Sequence, residues 1–535
     1  MTAPSAPSRI ILCTLNAKYI HASLGLRYLL ANMGELKERT VLREFTIARP
    51  AQEIVAALLH ELPEEADGPS IIGFGVYIWN VQQTLAVIQR IKAERPSVKI
   101  ILGGPEVSYE TDEQEIVRLA DHVITGWGDI SFAKLCRALL AGPRPLSKVI
   151  AGEQPSLDAI ELPYREYSAD DLAHRLLYVE ASRGCPFKCE FCLSALDKTA
   201  WAFDLERFLG ELAGLHERGA RHFKFVDRTF NLKVDTSLRI LQFFLDRLHA
   251  PGGALFLHFE LVPDHLPDAL KAMIARFPPG VLQFEVGIQS FNVDVQQRIS
   301  RRQDNARSEE NLRWLLQESQ AHLHTDLIFG LPGETLESFA AGFDRLHALQ
   351  PHEIQLGILK RLRGTPIIRH SADYALVFDP NPPYQILSTG CISATEVEAF
   401  SRFARYWDLL ANTGRFQLSL PHLLQTRASP FQAFWNFSQW LWQEHRETRG
   451  KTSGLSPEIL TDALFTYLVD QQGQPMEAVR QALLSDYVAS GARSNPQSLA
   501  GFLPPRPAPV RRTRSLAQRQ EQHLAGEGSL PGSDQ

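Results

Sequence analysis

Read from the amino end, short apolar runs alternate with stretches of helical period. The runs are Ile10–Leu15, Val41–Ile47, Ile71–Val76, Val98–Leu102 and His122–Thr125. A strand buried on both faces reads as a continuous apolar run, so five of them with helices between predict a doubly wound parallel sheet over residues 9–145. Ligands on such sheets bind at the carboxyl ends of the strands. Two of those ends carry glycines, Gly103-Gly104-Pro105-Glu106 and Gly126-Trp127-Gly128-Asp129. A missing Cβ there either admits a bulky ligand or simply makes a tight βα connection. No G-x-G-x-x-G follows the first run, where the loop reads Asn16-Ala17-Lys18-Tyr19-Ile20-His21, and this disfavours a nicotinamide dinucleotide.

A proline-bearing connection over 146–172 leads into a second series, Leu177–Ala181, His222–Val226, Ala254–Phe259, Val281–Gly287, His324–Phe329 and Glu353–Leu359, each run with a helical stretch behind it. Six such units predict a partial (β/α) barrel of TIM type over 173–370, with its chemistry at the carboxyl ends of the strands. Beyond Lys360 the rhythm stops. Residues 371–503 read as a mainly helical domain, rich in aromatics such as Phe400, Phe403, Tyr406, Trp407, Trp435 and Trp440. An aromatic stripe at helical spacing reads as core before it reads as a ligand box. The end, 504–535, has five arginines among prolines, serines and glycines and too few apolar residues to offset the cost of ordering, so a disordered basic tail is expected.

Composition adds limits. With 535 residues, 44% of them hydrophobic, the chain can bury large cores in two or three domains. A formal net charge of -6 argues against a surface built for nucleic acid, and no apolar run is long enough to span a bilayer. A cytoplasmic location is expected.

Chemistry enters with the cysteines. Three of the six stand within eight residues, in Ser182-Arg183-Gly184-Cys185-Pro186-Phe187-Lys188-Cys189-Glu190-Phe191-Cys192. Three thiolates on one loop suit a cubane 4Fe-4S cluster whose fourth iron has no protein ligand and is open to a substrate. The competing readings are zinc, a disulfide with a spare thiol, or plain burial. Structural zinc wants four ligands, commonly as two close pairs, and Cys13, Cys136 and Cys391 are isolated.

The spacing C-x3-C-x2-C, with Phe191 before the last cysteine and the loop behind the first strand of the βα series, resembles the radical S-adenosylmethionine (radical SAM) superfamily. Segments Phe225–Asn231, Phe284–Ser290, Asp326–Thr335 and Leu359–Thr365 look like that family's later strand-end motifs. With the glycine-turned, Rossmann-like sheet in front, the chain resembles the cobalamin-binding class, in a subgroup with a helical C-terminal domain of unknown function. The resemblance implies a 4Fe-4S cluster on Cys185, Cys189 and Cys192, with S-adenosylmethionine on the open iron. It also implies cobalamin at Gly103, Gly104, Gly126 and Gly128. Cofactor contacts are expected from Phe191, Asp227, Glu285, Gln289, Gly330, Glu334 and Lys360, each with an ordinary alternative: Glu285 pairing with Arg302, Glu334 capping the helix that starts at Thr335.

The implied reaction is formation of a 5′-deoxyadenosyl radical, followed by methylation or rearrangement of an unactivated carbon in an unknown small molecule or peptide. A flavodoxin or ferredoxin would supply the electron. Two departures stand out. His21 has no aspartate at the spacing of the D-x-H-x-x-G cobalt-ligating motif, which favours cobalamin without a histidine ligand, and Asp227-Arg228-Thr229 replaces the common Gly-Gly-Glu. A methylthio-transferring tRNA enzyme and a noncatalytic cofactor-binding sensor remain as other readings.

Overall fold

The computed structural model describes residues 8–505 and His523, except 66–67, 144, 250, 252–253, 426–427 and 450–454. Two parallel six-stranded sheets organise it. The first comprises β1 (Ile10–Asn16), β2 (Thr40–Thr46), β3 (Ile71–Gly75), β4 (Lys99–Gly103), β5 (His122–Thr125) and β6 (Val149–Ala151), in the order β2-β1-β3-β4-β5-β6. Every residue of β1 is buried, because helices cover both faces. Ile11 and Cys13 face one core, Ile10 and Leu12 the other. The sheet is therefore doubly wound as expected. The sixth strand is a correction: β6 lies in the stretch read as a connection, and three residues at a sheet edge are too few to show a pattern.

The connection is itself packed. Tyr164 and Tyr167 are fully buried; the Tyr167 hydroxyl donates to the Tyr178 carbonyl in the strand that follows, and that of Tyr164 to the Glu180 carbonyl just past it. That strand, β7 (Leu177–Val179), begins the second sheet. A short ribbon, β8 (Ser182–Arg183) with β9 (Trp201–Ala202), brackets the cysteine loop. Then follow β10 (His222–Phe225), β11 (Phe256–Leu261), β12 (Leu282–Gln289), β13 (His322–Phe329) and β14 (Glu353–Ile358), ordered β14-β13-β12-β11-β10-β7. Burial alternates along β12 and β13, so one set of side chains enters the helix-covered core and the other, including Glu285, Gln289, His324 and Asp326, lines the interior of the partial barrel.

The C-terminal region is helical, with long helices at Ala394–Trp407, Pro430–Arg449, Pro457–Thr466 and Met476–Ala489. Its aromatics are core: Phe400 stacks on Phe329 of β13 with centroids 3.9 Å apart, and Trp407 meets Phe343 edge-on. The amide of Asn412 pairs with both the N–H and the C=O of Ile354, which covers the outer edge of β14. Of the tail expected to be disordered, 506–535 lies outside the described residues except for His523. That residue is buried. No helix among the described residues is long and apolar enough to cross a membrane.

Candidate functional site

The loop after β7 brings the three cysteines to one wall of a cavity of about 240 Å³. Its entry depends on Gly184, at φ +82°, where a Cβ would stand 2.7 Å from the amide nitrogen of Ala200. The loop is held from below. Cys185 donates its amide to Asp197 O at 2.9 Å, and Glu190, only 3% exposed, gathers Ser300 Oγ, His370 Nε2 and the guanidinium of Arg369. Burial pushes the thiols of Cys185 and Cys189 up, and their neighbouring cysteines add to this. Arg301 opposes it, with Nη1 3.7 Å from Cys189 Sγ. Three thiolates so close need cations between them, and the donor set fits an iron cluster with one iron left open.

The facing wall is polar. Glu285 accepts from His258 Nε2 at 3.1 Å and lies 3.5 Å from Lys224 Nζ. Burial alone would raise it, but the bond from His258 and the charge of Lys224 hold its carboxyl well below the usual range. Asp326, in the same cavity, is pushed up by burial and then by Glu285. Gln289 sits at φ +69° at an irregularity between β12 and β13, and its buried Oε1 has no hydrogen-bond partner among the described residues. An orphaned acceptor in a cavity marks a place where a ligand donates.

Phe191, Glu285 and Gln289 thus join the cysteines, and the other expected contacts do not line this cavity. Asp227 accepts the amide of Ala181 at 3.0 Å and the hydroxyl of Ser182 at 2.5 Å, tying the root of the loop; burial raises it to about 7. Gly330, at φ +88°, backs onto Ile386. Glu334 is buried and accepts from Ser290 Oγ at 2.6 Å, and burial raises it to about 7. Thr335, not Glu334, caps the next helix, and Glu285 pairs with Lys224 and His258 rather than Arg302. Lys360 is exposed and bridges to Gln385.

A second cavity, of about 310 Å³, opens at the carboxyl ends of β3, β4 and β5. Gly103, Gly104, Gly126 and Gly128 line it. Gly104, at φ +108°, is required, since a Cβ would meet Val76 O at 2.5 Å. Gly73 and Gly75 complete the hollow beneath helices Leu24–Ala31 and Ser131–Ala141. Sequence reasoning missed these two, although glycine at alternating strand positions signalled an emptied face. His21 is not in this lining: its Nδ1 meets Tyr178 Oη at 2.7 Å. A deep, apolar, glycine-walled slot fits a bulky flat ligand with a tail better than a compact anion.

The glycine slot reaches the root of the cysteine loop at Arg183, which lines that slot and stands two residues before Cys185. It pairs with both carboxylate oxygens of Asp129, at 2.8 and 3.0 Å, and with Glu180 at 2.8 Å, and its guanidinium lies over Tyr28 and Trp127. Trp127 Nε1 donates to Asp197 at 2.8 Å. The second glycine turn is thereby tied to the cysteine loop. Nearby, Arg363 of the barrel holds Glu106 and Glu110 of the first domain.

A parallel α/β sheet whose glycine slot faces a partial barrel with a three-cysteine loop defines the class of radical SAM proteins with an N-terminal cofactor domain. The family models agree: radical SAM superfamily over residues 179–346, B12 binding domain over 11–136 and protein of unknown function (DUF4080) over 372–524. The chain thus carries a B12 binding domain followed by a radical SAM domain, and these domains imply a 4Fe-4S cluster, S-adenosylmethionine and cobalamin as cofactors.

Among relatives, it is 29% identical over 253 residues to an uncharacterised methyltransferase of Pyrococcus horikoshii, covering 42% of this chain and 53% of that one. It is 25% identical over 342 residues to the cobalamin-dependent radical SAM methyltransferase TokK of Streptomyces tokunonensis, covering 56% and 49%. The chain thus spans about half the length of these relatives. In fold it is similar to the methyltransferase TsrM of Kitasatospora setae with cobalamin and a 4Fe-4S cluster bound (TM-score 0.55, 15% identity, covering 89% of this chain and 99% of that one). It is also similar to the cobalamin-dependent S-adenosylmethionine radical enzyme OxsB with aqua-cobalamin and S-adenosylmethionine bound (TM-score 0.58, 12% identity, covering 98% and 84%).

Proposed function

We propose that the protein is a radical SAM enzyme that uses cobalamin as second cofactor to methylate an unactivated carbon of a small molecule or peptide. One observation carries this: Arg183, at the root of the cysteine loop, lines the glycine slot and pairs there with Asp129. When bound, the cluster and S-adenosylmethionine supply a 5′-deoxyadenosyl radical and cobalamin a methyl carrier.

The chain's own groups do the positioning. Cys185, Cys189 and Cys192 hold iron, and the guanidinium groups of Arg301 and Arg228 in the same cavity favour the thiolate form. Gln289 Oε1 offers an acceptor, and Glu285 stays ionised to receive the amine or ribose of the bound sulfonium. Phe191 is the apolar wall for adenine. Asp227 positions the loop, while Gly330 and Glu334 shape the adjoining strand end; we assign Lys360 no contact. Gly103, Gly104, Gly126 and Gly128 form the walls of the corrin slot. A low-potential flavodoxin or ferredoxin and a reducing cytoplasm suit three close thiols left unpaired.

Methylthio transfer would need a second cluster on N-terminal cysteines. Cys13 and Cys136 are buried in cores on opposite faces of the first sheet, so the structure favours the methylation reading. The test is turnover: anaerobically reconstituted protein with dithionite should form 5′-deoxyadenosine from S-adenosylmethionine. An intact cluster that forms none would overturn the reading and favour a sensor.

A further inference from the structure

At the end of the barrel where β13 and β14 begin, far along the strands from the cysteines, three imidazoles and a carboxylate crowd beneath the surface. His322 opens β13, His352 precedes β14, Glu353 opens it, and His523 comes from the C-terminal segment. His322, Glu353 and His523 are 3%, 3% and 8% exposed, and one ligand atom from each lies within 4.8 Å of the others. The ring of His322 is 4.6 Å from that of His352 and 5.1 Å from that of His523.

The hydrogen bonds sort these side chains into ligands and supports. His523 Nε2 lies 3.2 Å from the carbonyl of Asn412. A carbonyl only accepts, so the proton is on Nε2 and the lone pair is on Nδ1. Metal-bound histidines are oriented in this way, through the second ring nitrogen. His352 accepts the Leu323 amide at Nδ1, 3.0 Å away, which keeps its proton on Nε2 and makes it a donor rather than a ligand. His322 Nε2 faces Glu353 Oε1 at 2.9 Å, a pair that a cation joins by replacing the proton between them.

We propose that His322, Glu353 and His523 form a divalent metal site of the zinc class at the base of the barrel. Two imidazoles and a carboxylate, with a fourth position for water, are a donor set for such an ion. Nothing in this site depends on the cluster or on cobalamin.

The test is metal content of the full chain grown with added zinc, measured by elemental mass spectrometry. About one zinc per chain is expected, retained when all three cluster cysteines are replaced by serine, and reduced at least about tenfold by His523→Ala. His523→Cys, which supplies a thiolate, should restore zinc and add thiolate-to-metal absorption after cobalt(II) substitution. His523 lies outside the barrel, so its variants keep the test open where His322→Ala fails to fold. Wild-type protein with no zinc, or His523→Ala retaining its full complement, would overturn the proposal and leave a hydrogen-bonded histidine cluster.

Discussion

Arg183 and Asp129 face each other as a two-point ion pair that crosses from the cysteine loop's root to the second glycine turn, with N–O distances of 2.8 and 3.0 Å. Both side chains are nearly buried, at 12% and 7% exposure, and the arginine is also enclosed by aromatic rings. The pair ties the root of the cysteine loop to the glycine slot. Removing the arginine strands two carboxylates, Asp129 and Glu180.

Arg183→Ala is therefore expected to destabilise the protein by about 3 kcal/mol, because it leaves buried charge unpaired. Arg183→Lys should recover only part of this, since an ammonium cannot reproduce the two-point geometry. Thermal unfolding checks both, and corrin retention should fall with them.

The two glycine turns should respond unequally to alanine. Gly104→Ala forces a Cβ to 2.5 Å from Val76 O, so it should cost more than about 2 kcal/mol and abolish corrin binding. Gly126→Ala, at φ +71° with nothing near its Cβ, should cost about 1 kcal/mol and leave weakened binding. Denaturation midpoints and bound corrin per chain separate the two.

Glu190 should matter for cluster retention although it binds no iron. Glu190→Gln removes the charge that Arg369 and His370 share beneath the loop. Iron per chain should fall several-fold after reconstitution while the circular dichroism of the fold is unchanged. Unchanged iron would show that the loop is held by its backbone bonds alone.

Burial raises Glu334 to about 7. A carboxyl whose folded value exceeds its unfolded one holds its proton more tightly when folded. Its contribution therefore weakens as pH rises from the ordinary carboxylate value toward about 7, and is level above that. Glu334→Gln should remove up to about 3 kcal/mol of that decline, read from denaturation midpoints at about pH 5 and about pH 8.

The strands were legible because apolar runs of Ile, Val and Leu, as in Ile10–Leu15, carry a strong local signal. The cysteine loop was legible because its three cysteines are close in sequence. What escaped were relationships between distant positions. Arg183 with Asp129, and Glu190 with Arg369, are made by the fold, and no local pattern announces them. Lys360 marks the limit of strand-end reasoning: it stands just past β14 and is exposed. Gly73 and Gly75 and the polar alternation of β12 and β13 lay within reach, since a period of two marked which face each occupies.

The most direct test of the account is the visible spectrum of protein made anaerobically with added hydroxocobalamin. It should show corrin bands together with iron–sulfur absorption, at about four irons per chain. Replacing Cys185, Cys189 and Cys192 by alanine should remove the iron–sulfur absorption and spare the corrin bands. Protein that binds no corrin, or a cysteine variant that loses both signals while still folded, would contradict two cofactors held in neighbouring, separately built sites.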